Sequence, residues 1–95
     1  MNVQVGLPAA LSDLVGGRRE ISVAIDGDQT TLGQLLDIVG GVHPVLVRRI
    51  RDEQGELRRY VNVYADGVDV RTLDVERTQL RDGAVVLVLP SVAGG

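Results

Sequence analysis

Apolar and polar side chains alternate along three stretches of the chain, and a period of two is typical of β-strands that bury one face. The three predicted strands span residues 3–7, 21–25 and 60–65. A fourth predicted strand, Ala84–Leu89, is apolar on both faces, which is typical of a strand in the interior of a sheet. Pro90 is expected to end this last strand, because proline has no backbone N–H to donate.

A helical period follows the second strand. Thr31 and Gln34 have the spacing of a capping box, in which each side chain bonds the other residue's backbone N–H. The apolar positions after Thr31 recur at intervals of three and four residues. These positions are Leu32, Leu35, Leu36 and Val39. The pattern predicts a helix from about Thr31 to Val39, with Gly40-Gly41 as its stop signal.

Two shorter segments also have helical character. Pro44 suits the first turn of a helix, because the N–H that proline lacks has no partner there. A short helix is therefore expected to run from this position to about Arg51, with His43 capping its start. Residues 9–14 form either a helical turn or a loop.

The second half of the chain adds a hairpin. Asp66-Gly67 between apolar segments is a strong hairpin signal, so a short strand containing Val68 and Val70 is expected after it. Residues 71–79 are expected to be irregular. With the first two strands paired as a hairpin, the last strand fits beside the first in parallel. The predicted fold is α+β, a ubiquitin-like β-grasp domain over residues 1–90, with a mixed sheet of four to five strands packed on one main helix.

Composition excludes several kinds of chemistry. The chain has 95 residues, enough for one domain. It contains no cysteine, so disulfides, zinc–thiolate sites, iron–sulfur clusters and a cysteine nucleophile are excluded. His43 is the single histidine, and we expect no metal site. No Ser-His-Asp set, P-loop or dinucleotide motif is present, so we expect no catalytic residues and no bound cofactor.

Charge and hydropathy narrow the range of partners. A net charge of −3 and only two aromatic residues, both tyrosines, argue against nucleic acid as a partner. No apolar run reaches the ~18 residues of a membrane span, and no secretory signal is recognisable, so we expect a cytoplasmic protein that does not bind membranes. All ten basic residues are arginines. Without lysine, the chain cannot form lysine-linked chains with itself.

The C-terminal segment resembles a known family. Leu80-Arg81-Asp82-Gly83, the apolar strand after it and the segment from Leu89 to the terminal Gly94-Gly95 resemble the ends of the MoaD/ThiS sulfur carriers. The segment 59–64, Arg-Tyr-Val-Asn-Val-Tyr, followed by Asp-Val-Arg at 69–71, looks most like the CysO branch of that family. That branch serves a cysteine-forming pathway.

The resemblance implies that the chain is a protein cosubstrate and not an enzyme. In this family an E1-like enzyme uses ATP to adenylate the C-terminal carboxylate, which here belongs to Gly95. Sulfur transfer then converts the acyl-adenylate to a thiocarboxylate, and the sulfur is delivered to a biosynthetic enzyme. In the CysO branch this acceptor is a PLP-dependent cysteine synthase, and a hydrolase then releases cysteine from the carrier.

The residues of the predicted flexible tail, 91–95, suit this chemistry. Gly94 and Gly95 have no Cβ, so their backbone can enter the nucleotide site of another protein closely. Val92 and Ala93 offer a small apolar grip for that protein. A chain without cysteine that carries sulfur must carry it on its terminus. The alternative is a disordered end that finishes in glycine by chance.

Partner docking is expected on the sheet face that the main helix leaves uncovered. The residues expected to form this surface are Tyr60, Asn62, Tyr64, Leu87 and Leu89. Tyrosine suits an interface because it is apolar with a polar tip. Val61 and Val63 are assigned to the core, together with Val86 and Val88. The alternatives are ordinary surface or a face covered by residues 71–79.

Basic residues cluster around the second helix and the loop after it. They are Arg48, Arg49, Arg51, Arg58 and Arg59. They either contact an acidic partner or form a solvated helix face and loop. Asp69 and Arg71 are expected to form a local surface pair, with a partner contact as the alternative.

Three functions remain open from the sequence. The first is a sulfur carrier, for cysteine synthesis or for thiamin, molybdopterin, a thiosugar or another secondary metabolite. The second is a ubiquitin-like tag that is conjugated to lysines of target proteins. The third is an interaction module with no terminal chemistry.

Overall fold

Seven strands and three helices make up residues 1–90, the part of the chain that the computed structural model describes. The strands are β1 (Asn2–Gly6), β2 (Glu20–Ala24), β3 (Gln29–Thr31), β4 (Val61–Ala65), β5 (Val68–Asp69), β6 (Gln79–Arg81) and β7 (Val85–Pro90). The helices are α1 (Ala9–Ser12), α2 (Leu32–Val42) and α3 (Pro44–Ile50). Three 3₁₀ turns cover Asp13–Val15, Val70–Thr72 and Val75–Arg77. The tail predicted over residues 91–95 lies outside the described residues.

The main sheet has five strands in the order β2-β1-β7-β4-β5. Strand β1 is antiparallel to β2 and parallel to β7, so the last strand lies beside the first, as predicted. Strand β7 occupies the centre and is antiparallel to β4. Pro90 is the last residue of β7 and lies opposite Val61, one position beyond the predicted end of the strand. A mixed sheet packed on one main helix confirms the predicted β-grasp fold.

One aliphatic core joins the inner face of this sheet to the helices. Its largest fully buried side chains are Val3, Val5, Leu32, Leu35, Leu46, Ile50, Val63, Val70, Leu80, Val86 and Val88. Burying each such side chain contributes about 1.5–3 kcal/mol relative to leaving it exposed. The valines assigned to the core from their parity in β4 and β7 are all buried, so the predicted inner faces of both strands are confirmed.

Helix α2 begins with the predicted capping box. The backbone N–H of Gln34 donates to Thr31 Oγ1 at 3.2 Å, and the backbone N–H of Thr31 donates to Gln34 Oε1, also at 3.2 Å. The two bonds satisfy backbone donors that a helix start otherwise leaves without partners.

The predicted end of α2 is wrong, because the helix continues through Gly40-Gly41 to Val42. A Cβ built on Gly40 would lie 3.5 Å from Val47 Cγ2, so this glycine faces α3 at close range. Packing between the two helices therefore overrides the low helix propensity of glycine.

The segments flanking α2 also differ in detail from the expectation. His43 is the N-cap residue of α3, as predicted, although its imidazole makes no capping bond. Its carbonyl accepts from the backbone N–H of Val47 at 3.2 Å. Residues 9–12 form the helical turn α1, which settles the alternative left open there. No helix among residues 1–90 is long and apolar enough to cross a membrane.

The segment after the hairpin is more ordered than predicted. Val70, expected in a strand, begins a 3₁₀ turn with its side chain fully buried. Further along, β6 pairs antiparallel with β3 in a separate two-stranded sheet that the sequence did not reveal. Thr30 and Leu80 are opposite each other there, and both are buried.

Arg51 anchors the segment around residue 76 to the main helix. Its guanidinium forms ion pairs with Asp37 of α2 and, at 3.5 Å, with Glu76 Oε2, and its side chain is only 15% exposed. Glu76 in turn lies against Gly33 of α2. A Cβ on Gly33 would overlap Glu76 Oε2 and lie 3.1 Å from the Glu76 carbonyl oxygen. The interpretation of Arg51 as part of a solvated face is therefore wrong.

Replacing Gly33 by alanine is expected to lower the free energy of unfolding by about 1–3 kcal/mol, because the added methyl crowds the Glu76 backbone carbonyl and displaces the Glu76 carboxylate from its ion pair with Arg51. Gly41→Ala is the matched control, since Gly41 also lies inside α2 and a Cβ there has no atom within 4 Å. That substitution should raise stability by about 0.5–1 kcal/mol through helix propensity. Urea denaturation measures both, and a G33A variant as stable as G41A would contradict the close contact.

Candidate docking surface

Strand β7 connects the centre of the sheet to the C-terminal segment, which begins directly after Pro90. The four residues predicted to carry the chemistry and its recognition, Val92, Ala93, Gly94 and Gly95, lie outside the described residues. Their roles stay predictions. The described part of the chain shows the surface from which that segment starts.

The outer face of β7 is apolar and open to solvent. Leu87 and Leu89 are 40% and 41% exposed, whereas Val86 and Val88, which alternate with them, are buried. The parity predicted for this strand is therefore confirmed. Both faces of β7 are apolar, but their environments differ. One face packs in the core, and the other is exposed at the centre of the sheet.

The five residues predicted to dock a partner lie together. Tyr64 is directly opposite Leu87 and Asn62 is directly opposite Leu89 in the β4–β7 ladder. Tyr60 precedes β4 by one residue and is 58% exposed. We call this set, Tyr60, Asn62, Tyr64, Leu87 and Leu89, the outer surface. Exposed leucine beside tyrosine is the composition of a protein-binding patch.

Strand β1 extends the outer surface beyond the predicted residues. Gly6 lies opposite Leu87 on the other side of β7, and a Cβ built on Gly6 would lie 2.6 Å from Leu87 Cδ2. Glycine at this position therefore leaves room for the leucine side chain. Val85 is also exposed, two residues before Leu87 on the same face. Strand parity carried this signal, since Gly6 alternates with the buried Val5 and Val85 with the buried Val86.

Arg71 holds the edge of the outer surface in place. Its Nη1 donates to the Val61 carbonyl at 2.7 Å and to Asn62 Oδ1 at 3.2 Å, and its Nη2 donates to the Arg58 carbonyl at 2.8 Å. The Asp69 carboxylate accepts from the backbone N–H of Arg71 at 2.9 Å and does not pair with the guanidinium. The predicted local pair of Asp69 and Arg71 therefore forms through the Arg71 backbone. The Arg71 guanidinium instead fixes the orientation of Asn62.

Arg71→Met is expected to lower the free energy of unfolding by about 1–2 kcal/mol, because it removes the donors for two backbone carbonyls and one amide. Arg59→Met is the control. Arg59 is exposed and makes no hydrogen bond or ion pair with the described residues, so its loss should stay within about 0.5 kcal/mol. Equal urea midpoints for the two variants would show that the Arg71 bonds contribute nothing.

A small cleft lies where β7 ends. It encloses about 200 Å³ and is mostly apolar. Its walls include Pro8, Ala10, Leu11, Tyr60, Leu89 and Pro90. Arg49 is the charged residue that lines it. The cleft is continuous with the outer surface through Tyr60 and Leu89, so a protein that engages the C-terminal segment also meets this depression.

The arginine cluster divides into two groups. Arg51 is held by carboxylates, and Arg58 Nε donates to the Arg48 carbonyl at 2.7 Å, so both have structural roles. The exposed arginines of the cluster, which make no ion pair with the described residues, are Arg48, Arg49 and Arg59. These side chains remain available to an acidic partner, as one of the sequence alternatives held.

No group of three or more histidine, aspartate or glutamate side chains in this part of the chain is placed to hold a metal ion.

The chain is similar in sequence and in structure to several known proteins. The sequence model of the ThiS family matches residues 5–95. The sulfur carrier protein CysO of Mycobacterium tuberculosis is 35% identical over 97 residues, with all of both chains covered. Its crystal structure superposes with a TM-score of 0.80 at 34% identity, over 95% of this chain and 99% of that one.

Two further solved structures are similar over nearly their whole length. The small archaeal modifier protein SAMP1 of Haloferax volcanii has a TM-score of 0.77 at 30% identity, with 100% of both chains covered. A chain in the BexX/CysO complex of Amycolatopsis orientalis has a TM-score of 0.75 at 33% identity, covering 98% of this chain and 99% of that chain.

Proposed function

Since this chain belongs to the ThiS family, we propose that it is a sulfur carrier protein that acts through the carboxyl group of Gly95. The observation that carries the proposal is the terminal Gly94-Gly95 pair on a segment that follows the central strand of a β-grasp sheet. Full-length similarity to a CysO sulfur carrier supports it.

The proposed reaction begins with activation by an E1-like enzyme. A Gly95 carboxylate oxygen attacks the α-phosphorus of ATP and releases pyrophosphate, which leaves an acyl-adenylate. Hydrosulfide from a sulfide source then attacks the acyl carbon of Gly95, the bond to the phosphate oxygen breaks, and AMP leaves, so that a thiocarboxylate remains. A free carboxylate is a poor electrophile, and adenylation supplies the leaving group. ATP is thus a substrate of the activating enzyme, and the carrier itself holds no cofactor.

The outer surface is the proposed docking site for the enzymes that act on the carboxyl group of Gly95. Tyr60 and Tyr64 supply apolar area with polar tips, Leu87 supplies apolar area alone, and Asn62 supplies hydrogen bonds. Docking by the folded domain offsets the entropy cost of ordering Val92, Ala93 and the glycines, which is about 1–2 kcal/mol per residue. The BexX/CysO complex supports a carrier of this fold binding a second protein.

We place the delivered sulfur in cysteine synthesis, with a PLP-dependent cysteine synthase as acceptor. The support is the similarity to CysO over the full chain. The same tail chemistry also serves thiamin, molybdopterin or secondary-metabolite acceptors, so the acceptor is tested separately. The sulfur-loaded carrier is mixed with a PLP-dependent cysteine synthase and its activated substrate. Intact mass spectrometry then follows the formation of a covalent adduct between the carrier and cysteine. An unconsumed thiocarboxylate would exclude this acceptor without affecting the carrier chemistry.

A second candidate function is conjugation to other proteins. The observation that favours it is similarity to small archaeal modifier protein 3 of Haloferax volcanii, 35% identical with 100% of both chains covered. This function uses the same adenylate, but an amine of a target lysine displaces AMP and forms an amide. Conjugates of the chain with cellular proteins that survive denaturation and thiol treatment of the extract would support this function. A detectable thiocarboxylate without any such conjugate would exclude it.

A further inference from the structure

Strand β2 forms an open edge of the main sheet among residues 1–90. Leu7 N donates to the Arg19 carbonyl at 2.8 Å and Ile25 N to the Met1 carbonyl at 2.9 Å, so the odd-numbered residues of this segment turn their backbone groups towards β1. Successive residues of a strand point these groups to opposite sides. Glu20, Ser22 and Ala24 therefore present their N–H and C=O groups to the open edge, which is a template for another strand.

A groove of mixed polar and apolar lining runs beside this edge on the inner side of the sheet. It lies between β2 and the last two turns of α2. Ile38 and Val42, on the α2 side, are 41% and 72% exposed. Val23 of β2 lines the other wall. The groove is on the opposite side of the sheet from the outer surface, so the proposed sulfur carrier function does not account for it.

Two charged residues flank the edge symmetrically about Ser22. Arg18 precedes it by four residues and Asp26 follows it by four. Neither residue forms an ion pair with any of residues 1–90. Arg18 Nε donates to the Val15 carbonyl at 3.0 Å, and its two Nη groups make no hydrogen bond with the described residues. Arg18 also lines the groove. The segment therefore carries a positive charge at one end and a negative charge at the other. In an antiparallel arrangement of two copies, each positive end lies beside a negative end.

We propose that β2 pairs with β2 of a second copy of this chain, antiparallel and centred on Ser22. In this register Ser22 lies opposite Ser22 of the second copy, Glu20 lies opposite Ala24, and Arg18 lies opposite Asp26. All paired even-numbered residues have their free backbone groups at the seam, so each pair exchanges two hydrogen bonds. The two main sheets join into one continuous sheet with twofold symmetry.

Charge and packing select this register over its neighbours. A shift by two residues in one direction puts Glu20 opposite Asp26, which sets like charges against each other. A shift in the other direction puts Arg18 opposite Ala24 and removes the charge pair. The twofold axis is perpendicular to the sheet, so Ile38 and Val42 of both copies flank the seam on the same side. The outer surface and β7 stay accessible in the dimer, because β1 separates β7 from β2.

Sedimentation velocity of the full chain tests the association directly. From micromolar to millimolar concentration, the average mass should rise from 10.2 kDa towards twice that value. Arg18→Glu alone and Asp26→Arg alone should each weaken the dimer by about tenfold or more, because each sets like charges opposite at two symmetric positions. The double variant R18E/D26R should restore it. A chain that stays at 10.2 kDa at millimolar concentration overturns the proposal.

Cysteine cross-linking tests the register, since the natural chain has no cysteine. In a hydrogen-bonded antiparallel pair the Cα atoms are about 5.5 Å apart, within the range that a disulfide spans. Ser22→Cys should therefore form a disulfide-linked dimer under mild oxidation. Ala24→Cys is the matched control, because its two copies would lie four residues apart, about 13 Å along the seam. An uncross-linked S22C, or an A24C that links as fast, overturns this pairing.

Discussion

Removing Gly95 is expected to abolish thiocarboxylate formation while leaving the fold of residues 1–90 unchanged. The shortened chain still ends in a glycine carboxylate, but that carboxylate lies about 3.3–3.6 Å short of its position in the natural chain. Misplacing a reacting atom by about 1 Å costs roughly 100-fold in rate, so the loss should reach the background of the assay. Adding one residue after Gly95 should have the same effect, because the terminal carboxylate then belongs to the added residue and Gly95 has none.

The deletion is measured by ATP–pyrophosphate exchange with the E1-like enzyme, alongside urea denaturation of the carrier. Ser91→Ala is the control, since it alters the same segment without changing its length and should keep exchange near the natural rate. Neither change alters any of the buried residues of the described core, so neither should shift the urea midpoint. Sulfur transfer at the natural rate by the chain that lacks Gly95 would rule out Gly95 as the reacting residue.

Leu87→Glu is expected to weaken binding of the activating enzyme by at least about 30-fold, which corresponds to about 2 kcal/mol. Leu87 lies at the centre of the outer surface, between Gly6 and Tyr64. A carboxylate there has to be desolvated when the partner docks, and nothing in the described surface neutralises it. The folded chain should tolerate the change, because position 87 is already 40% exposed.

Leu73→Glu provides a closely matched control for this variant. Leu73 is the same residue type, is 47% exposed and lies outside the outer surface, after the 3₁₀ turn that follows β5. Its substitution should change the dissociation constant less than about threefold. Calorimetric titration of each variant into the partner enzyme supplies the comparison. Equal weakening by both variants would mean that net charge, and not the outer surface, controls binding.

Several features of the fold could be predicted because their signals are local. The capping box of α2 depends on two residues three positions apart, and both bonds form. Alternation along β4 and β7 separated buried valines from the exposed leucines of the outer surface, since the parity of a strand is fixed by its own geometry. The hairpin at Asp66-Gly67 likewise needed only its own sequence, with Asp66 and Gly67 both at positive φ.

Features that depend on distant contacts could not be predicted in the same way. Strands β3 and β6 have three residues each, too few for alternation to be recognised, and they pair across about half the chain. Helix α2 continues through Gly40 because α3 packs against it. Arg51 and Arg71 resemble ordinary surface arginines in the sequence, and their partners come from segments that only the fold brings close.

The candidate site shows the same division. The position of the outer surface followed from strand parity, whereas the clamp of Arg71 on Asn62 and the fit of Leu87 over Gly6 required the packed strands. The open edge of β2 likewise becomes visible only when the order of the strands is known, because an edge strand and a central strand have similar local patterns.

The central claim is that the carboxyl group of Gly95 accepts sulfur, and an intact mass tests it most directly. The full chain is incubated with an E1-like enzyme of the family, ATP and a sulfide source, and its mass is compared with that of a reaction lacking ATP. The intact mass is expected to rise, only when ATP is present, by the difference between one sulfur and one oxygen atom. Fragmentation should map this change to Gly95. An unchanged mass of the folded chain, under conditions in which the same enzyme loads a known carrier, would contradict it.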